Sequence, residues 1–419
     1  MANMSLLHFH SRHSVRRFGT PLSPLRSLLT RASLPFPPEK AQFHKELEAA
    51  VNVVERACRL CVDVKKSLLS SQGRILEKND QTPVTIADFG VQALISLELS
   101  RLFPSIPLVA EEDSAFLRSS TADSEEDGST SLADLVLSAV VDQASDGSKS
   151  LTLDSILKAI DRGGKNAFSF DSKPATYWVL DPIDGTRGFL KGNEALYVVG
   201  LALVVEGRIT LGVMGCPTWK ENSLSPKSSY PENGISGSGV IMVAHLGCGT
   251  WTRKLSQDVM SNLMISQDGW TRCFVDSCSL VHEARFCIPE SQTWDSLPLS
   301  VLFSSTVDAE SVKDETKILL LPTCCGSLCK YLMVATGRAS VFIVRAKVKT
   351  VIKVWDHAVG VICVHEAGGQ VTDWSGSHLN LATDEAERRV IFPSGGVLVS
   401  NGRLNKQLLE IISTNSSVV

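Results

Sequence analysis

A run of core residues, Thr176-Tyr-Trp-Val-Leu180, passes directly into Asp181-Pro-Ile-Asp184-Gly-Thr186. The first five read as a buried strand that comes to the surface at the acids. A turn accounts for one aspartate. It does not account for two carboxylates three apart, followed by a glycine–threonine step. Pro182 fixes a bend. With the backbone bent there, both carboxylates and the Ile183 carbonyl can face one site. Gly185 lets the backbone approach an anion closely. Thr186 offers a hydroxyl and an amide N–H, and a helix starting there favours phosphate at its N-terminus. One stretch thus carries hard oxygen ligands on one side and anion-binding amides on the other.

Three more segments bring a carboxylate to the end of an element. Asp88 lies in PVTIADFG, Glu111 in LVAEED directly after a strand, and Asp356 in WDHAVGVICVHEAGG at the start of a helix. Singly they are a solvated helix residue, a strand-end charge and a helix N-cap, and Asp184 before Gly185 is ordinary turn chemistry. Together they form an oxygen-only set drawn from scattered element ends. Such a set suits Mg²⁺, which takes one or two carboxylates per ion with waters and substrate phosphate. The chemistry it suits is metal-assisted hydrolysis of a phosphate ester.

A chain of 419 residues makes one large domain or two ordinary ones. The net charge of −4 gives no reason to propose nucleic acid or an acidic membrane surface as partner. No apolar run approaches the roughly 18 residues of a membrane-spanning helix. Eleven cysteines without regular spacing argue against a disulfide framework and for a reducing compartment. Cys58 and Cys61, and the group Cys324, Cys325 and Cys329, read as core or surface thiols, with a redox or metal role as the alternative. Residues 1–38 contain no Asp or Glu and carry Arg12, Arg16, Arg17, Arg26 and Arg31 among several serines. That is the composition of an organelle transit peptide, here read as mitochondrial with plastid as the alternative. A disordered basic tail is the plainer reading.

Hydrophobic spacing predicts a helix over Glu39–Gln72 and another after Thr85. Ile106–Asp113 reads as a short strand. Residues 115–172 read as an insertion, with an acidic loop and helices near 131–142 and 152–162. Two strands joined by a Glu206-Gly207 turn follow the opening motif. The Pro/Gly/Ser-rich PKSSYPENGISGSG suggests a boundary near residue 235. The expected organisation is 39–235 as an N-terminal α+β subdomain holding the metal site, and 236–419 as a C-terminal α/β subdomain completing it. GCGTW, Gly247–Trp251, reads as a strand or turn in preference to a phosphate loop.

LDPIDGT, joined to WDHAVGVICVHEAGG and LVAEED, resembles the lithium-sensitive, magnesium-dependent phosphatase superfamily of inositol monophosphatases, inositol polyphosphate 1-phosphatases and 3′(2′),5′-bisphosphate nucleotidases. The resemblance runs from about residue 42 to 415. DPIDGTRGFLKG is similar to the DPIDGTKGFLRG run of eukaryotic bisphosphate nucleotidases, whereas inositol monophosphatases read DPxDGTxNF. SILKAIDRGG resembles the nucleotidase insertion, and GSLCKYLMVATGRASVFIVR the nucleotide-binding segment. The plant organellar members that act on 3′-phosphoadenosine 5′-phosphate (PAP) are the most similar.

The resemblance implies the superfamily's α+β fold, a layered α/β/α/β/α sandwich with the site between two subdomains. It implies two or three Mg²⁺ ions: Glu111, Asp181 and the Ile183 carbonyl on one, Asp181, Asp184 and Asp356 on a second, Asp88 on a third. Asp88 and Thr186 would activate water, the Gly185 and Thr186 amides would hold the scissile phosphate, and Ser327, Lys330 and Arg345 would contact the nucleotide. The implied reaction is release of the 3′-phosphate of PAP, with 3′-phosphoadenylyl sulfate as a second substrate. Without the resemblance, Lys330 and Arg345 are solvated basic residues, and His357 is structural. The chain departs from the family pattern at Ala339-Ser340, Val344-Arg345 and Cys287–Ser296. The alternatives are an inositol phosphate phosphatase, against which GFLKG and the Ser327/Lys330 segment argue, and a catalytically inactive nucleotide or metal sensor, against which the full set of acids argues.

Overall fold

The computed structural model describes residues 34–70, 76–77, 83–119, 131–144, 151–171, 173–191, 195–220, 239–255, 269–311, 314–323, 326–346 and 351–415. Most of the expected transit peptide, the acidic run at 120–130 and nearly all of the Pro/Gly/Ser-rich stretch lie outside these residues, as do Cys324 and Cys325.

A seven-stranded sheet runs in chain order: β1 (Leu108–Ala110), β2 (Tyr177–Asp184), β3 (Val198–Val205), β4 (Arg208–Cys216), β5 (Val240–His245), β6 (Gly249–Lys254) and β7 (Thr271–Arg272). β1 is parallel to β2, and every later pair is antiparallel. Side chains alternate across a strand, so the central strands feed two cores. Trp178, Leu180, Leu201 and Val213 enter one, closed by α1 (His44–Ser70) and α2 (Ile86–Leu102). Tyr177, Val179, Ala202 and Met214 enter the other. Helices α3 (Leu132–Gln143) and α4 (Leu153–Asp161), in the expected insertion, join the first core through Val136, Val140, Ile156 and Ile160.

After β2 comes the single turn of α5 (Thr186–Leu190). The second core is filled by α6 (Leu328–Ala335) and α7 (Ala358–Glu366). Beyond them lies a six-stranded sheet of β8 (Arg285–Cys287), β9 (Ser304–Thr306), β10 (Lys317–Leu320), β11 (Val341–Arg345), β12 (Gly369–Asp373) and β13 (Gly396–Asn401), in the order β9-β10-β8-β11-β13-β12. Phe342, Val397 and Val399 face α6 and α7. Val341, Ile343 and Leu398 face α8 (Gly402–Asn415), which presents Leu404, Leu408 and Ile412. The layers are α/β/α/β/α. Their close approach needs bare backbone: a Cβ at Gly200 would strike Leu328, and one at Gly212 would strike Val359 and Ile362. No described helix is long and apolar enough to cross a membrane.

Several local expectations shift. α1 starts at His44, because Phe43 takes a left-handed φ of 61°. The Glu206-Gly207 turn has φ of 49° and 78°, the handedness a two-residue hairpin prefers. The larger sheet does not stop near residue 235. β4 pairs with β5 from Leu211↔His245 to Cys216↔Val240, so one sheet carries strands from both sides of residue 235.

Candidate metal centre

Residues three apart on a regular strand face opposite sides. Asp181 pairs with Gly200, but Asp184 pairs with Val198, so β2 carries one extra residue across Pro182-Ile183. A bulge of this kind re-aims side chains, and it is a place where a sheet tolerates proline. Both aspartates therefore reach the same side. Asp356, in the turn before α7, joins them: one carboxylate oxygen from each of the three lies within 4.8 Å of the others. Asp181 is 1% exposed and Asp184 5%.

Burial raises the pKa of Asp181 well above the carboxylate range, and the charges of Asp184, Glu111, Asp356 and Asp88 push the same way. Burial likewise raises Asp356, and the charges of Asp184 and Glu111 push the same way. Asp184 is pushed up to about 6 by burial, against the opposing charge of Lys330 and the amides at the start of α6. Asp181 Oδ1 is buried without a hydrogen-bond partner. An unpaired carboxylate oxygen in a dry site is costly. A hard divalent cation touching that oxygen removes the deficit and the mutual repulsion together, so the donor set fits such an ion.

The remaining acids surround this cluster. Glu111 stands outside the three-acid group, at the end of β1, near enough that its charge acts on Asp181 and Asp356. Asp88 is the third residue of α2 and closes its cap: Oδ2 accepts the Thr85 amide at 2.8 Å and the Thr85 hydroxyl at 2.6 Å. Its Oδ1 lies 3.2 Å from the Thr186 hydroxyl. The capping role and the link to the motif fall on different oxygens of one carboxylate. Thr186 Oγ1 also lies 3.1 Å from the Ile183 carbonyl, so one proton has two acceptors. Gly185 takes φ of 87° and caps α5.

Ser327 and Lys330 meet the motif from the other half of the chain. The amides of Ser327 and Leu328 donate to Asp184 at 2.9 and 2.7 Å. Helix N-terminal amides lack intrahelical acceptors, and a carboxylate there also suits the helix dipole. Gly326 takes φ of 76°, and a side chain there would run into Asp184. Lys330 is buried, and Nζ donates to the Gly326 carbonyl at 2.6 Å. Arg345 is held from the divergent segment. Its amide donates to Gln292 at 2.9 Å and Nη1 to the Ser296 carbonyl at 2.9 Å, within the divergent 287–296 segment.

Other residues singled out in the sequence sit apart from this chemistry. His357 is buried, with Nδ1 2.8 Å from the Tyr331 hydroxyl, and burial lowers its pKa to about 4. Cys58 and Cys61 are buried, and burial raises both thiols well above their ordinary range. Such thiols are poor nucleophiles and metal ligands. The Gly247 and Gly249 amides donate to Glu366 at 2.9 and 2.8 Å, so that turn is closed by the chain's own carboxylate. Reading the sequence did not single out Arg389, whose guanidinium donates to the Glu111 carbonyl at 3.3 Å.

The model of the inositol monophosphatase family matches residues 41–417. The chain belongs to the inositol monophosphatase family. Its members are metal-dependent phosphatases, and Asp181, Asp184 and Asp356 form a group that could hold a metal ion. It is 59% identical over 420 residues to an Arabidopsis thaliana protein provisionally named a mitochondrial 3′(2′),5′-bisphosphate nucleotidase, covering 99% of each chain. It is 34% identical to an Oryza sativa protein named 3′(2′),5′-bisphosphate nucleotidase, covering 88% of this chain and 94% of that one. Among solved structures, the Thermotoga maritima IMPase superposes with a TM-score of 0.51 at 18% identity, covering 89% of this chain and 98% of that chain, which supports the shared fold.

Asp181→Asn separates repulsion from ligation. With divalent cations chelated, the variant is expected to melt at or above the temperature of the unaltered chain, since one repelling carboxylate is gone. With cation added, the unaltered chain is expected to gain stability and the variant to gain little. Thermal denaturation in chelator and in cation measures both; an equal gain in the two proteins removes Asp181 from the metal site.

Proposed function

We propose that this chain is a Mg²⁺-dependent 3′(2′),5′-bisphosphate nucleotidase that removes the 3′-phosphate of PAP to give AMP and phosphate. In this reading 3′-phosphoadenylyl sulfate is a second substrate. The observation that carries it is the cluster of Asp181, Asp184 and Asp356, with its unpaired buried oxygen, beside the Thr186–Asp88 pair. The names of the Arabidopsis and rice relatives support the substrate, as does the GFLKG run after the motif.

Glu111, Asp181, the Ile183 carbonyl, Asp184, Asp356 and Asp88 would hold two or three Mg²⁺ ions, which would supply Lewis-acid charge at the phosphate. The chain's own groups do the rest. Thr186 Oγ1 takes a proton from the attacking water as its own hydroxyl proton moves toward Asp88 Oδ1. The Gly185 and Thr186 amides hold the scissile phosphate. Attack inverts the phosphorus, the bond to the 3′-oxygen breaks without a phosphoenzyme, and the departing 3′-oxygen takes a proton from water. Ser327 and Lys330 meet the nucleotide, with Arg345 nearby. Lys330 has N–H donors beyond the one on Gly326, since an ammonium carries three.

Phosphate release from PAP, 3′-phosphoadenylyl sulfate, inositol 1,4-bisphosphate and inositol 1-phosphate, at equal concentration with Mg²⁺, tests the reading. The adenosine substrates are expected to dominate, with activity lost in chelator and restored by Mg²⁺. Preference for an inositol phosphate overturns the substrate, and no release from any overturns the enzyme. In the same assay Thr186→Val is expected to lower kcat by at least about a hundredfold with KM little changed, the usual scale of a proton-transfer contribution. An unchanged kcat removes Thr186 from proton transfer.

The same reading assigns the mature chain to mitochondria. Support comes from the acid-free, Arg-rich residues 1–38 and from the name of the Arabidopsis relative. Residues 1–38 fused to a fluorescent protein are expected to direct it into isolated mitochondria. Uptake by chloroplasts alone reverses the assignment.

A further inference from the structure

Arg389 touches the segments that carry the acids without being one of their ligands. Only 9% exposed, it follows a turn in which Asp384 Oδ2 accepts its amide at 2.9 Å. Its carbonyl accepts the Val354 amide at 2.9 Å, two residues before Asp356. Its guanidinium lies against Trp355, the residue next to Asp356, with Cζ 4.7 Å from the ring centroid. The same guanidinium crosses to the other half of the chain. Nη2 donates to the Glu111 carbonyl at 3.3 Å, and Nη1 to the Gly163 carbonyl at 3.1 Å. The Gly163 carbonyl also accepts the Ala110 amide at 2.9 Å, which ties it to the end of β1.

This use needs an arginine. The planar fork presents parallel N–H groups to two carbonyls while its face stacks on an indole. A lysine supplies the charge but not both at once. Burial weighs against the cation, and the charges of Glu387, Asp113, Glu111 and Asp384 offset it.

We infer that Arg389 is a positioning residue for the metal centre, setting the distance between Glu111 just after β1 and Asp356 before α7. The inference rests on the metal-dependent reading above. A divalent ion with short oxygen bonds tolerates little displacement of its ligands. Groups that hold ligands in place commonly change metal affinity by about 10–100-fold when removed.

Arg389→Gln and Arg389→Lys in the full chain test this, each with calorimetric Mg²⁺ titration, melting in chelator, and kcat against Mg²⁺ concentration. Arg389→Gln is expected to weaken Mg²⁺ binding by at least about tenfold. Arg389→Lys should fall between it and the unaltered chain, and kcat at saturating Mg²⁺ should stay within about threefold. A residue that only stabilises the fold lowers the melting temperature in chelator and leaves the Mg²⁺ titration unmoved. That result, alongside Mg²⁺ binding by the unaltered chain, overturns this inference alone. Absence of Mg²⁺ binding by the unaltered chain overturns the metal reading and this inference with it. If Arg389→Gln fails to fold, Arg389→Lys decides by the same titration.

Discussion

The two amide hydrogen bonds on Asp184 join parts of the chain 143 and 144 positions apart. They satisfy the start of α6, which fills the space between the two sheets, and they anchor the end of β2 from the opposite side. Asp184 therefore serves the fold and the site at once. A carboxylate held by helix amides is fixed in place before any ion arrives. Asp181 is the counterpart. It leaves one buried oxygen without a hydrogen-bond partner, where a cation would be most favourable.

This division explains how a dry, acidic site is compatible with a stable protein. Several carboxylates close together repel, and burial strengthens that repulsion. Lys330 and the α6 amides moderate it at Asp184. Arg389 brings positive charge to the Glu111 side. What is left falls where ligation by a cation is most favourable.

Much of this was legible in the sequence. Unbroken apolar runs at Tyr177–Leu180 and Val198–Val205 give the strands, and the Glu206-Gly207 step gives the hairpin. The acids stand out because each follows an apolar run. Other features depend on distant pairing and leave no local mark. A Pro/Gly/Ser-rich stretch marks a loop but does not say whether the strands flanking it pair, and β4 and β5 do. Nothing in EAERRV distinguishes Arg389 from its neighbour. Ser327 and Lys330 stand out as polar groups in the nucleotide-binding resemblance. That the amide of one and the charge of the other also act on Asp184 follows only from the way the layers stack.

The extra residue in β2 makes the motif a matter of length as well as composition. Removing one residue between Asp181 and Asp184 would restore an even spacing but draw the Thr186 hydroxyl out of step with Asp88. Adding one would turn a carboxylate into the apolar core beneath the sheet. A shift in the count moves every residue after it, whereas a substitution at Pro182 or Ile183 leaves the register in place. The segment behaves like a ratchet tooth: its phase is locked by Gly200 and Val198 across the ladder.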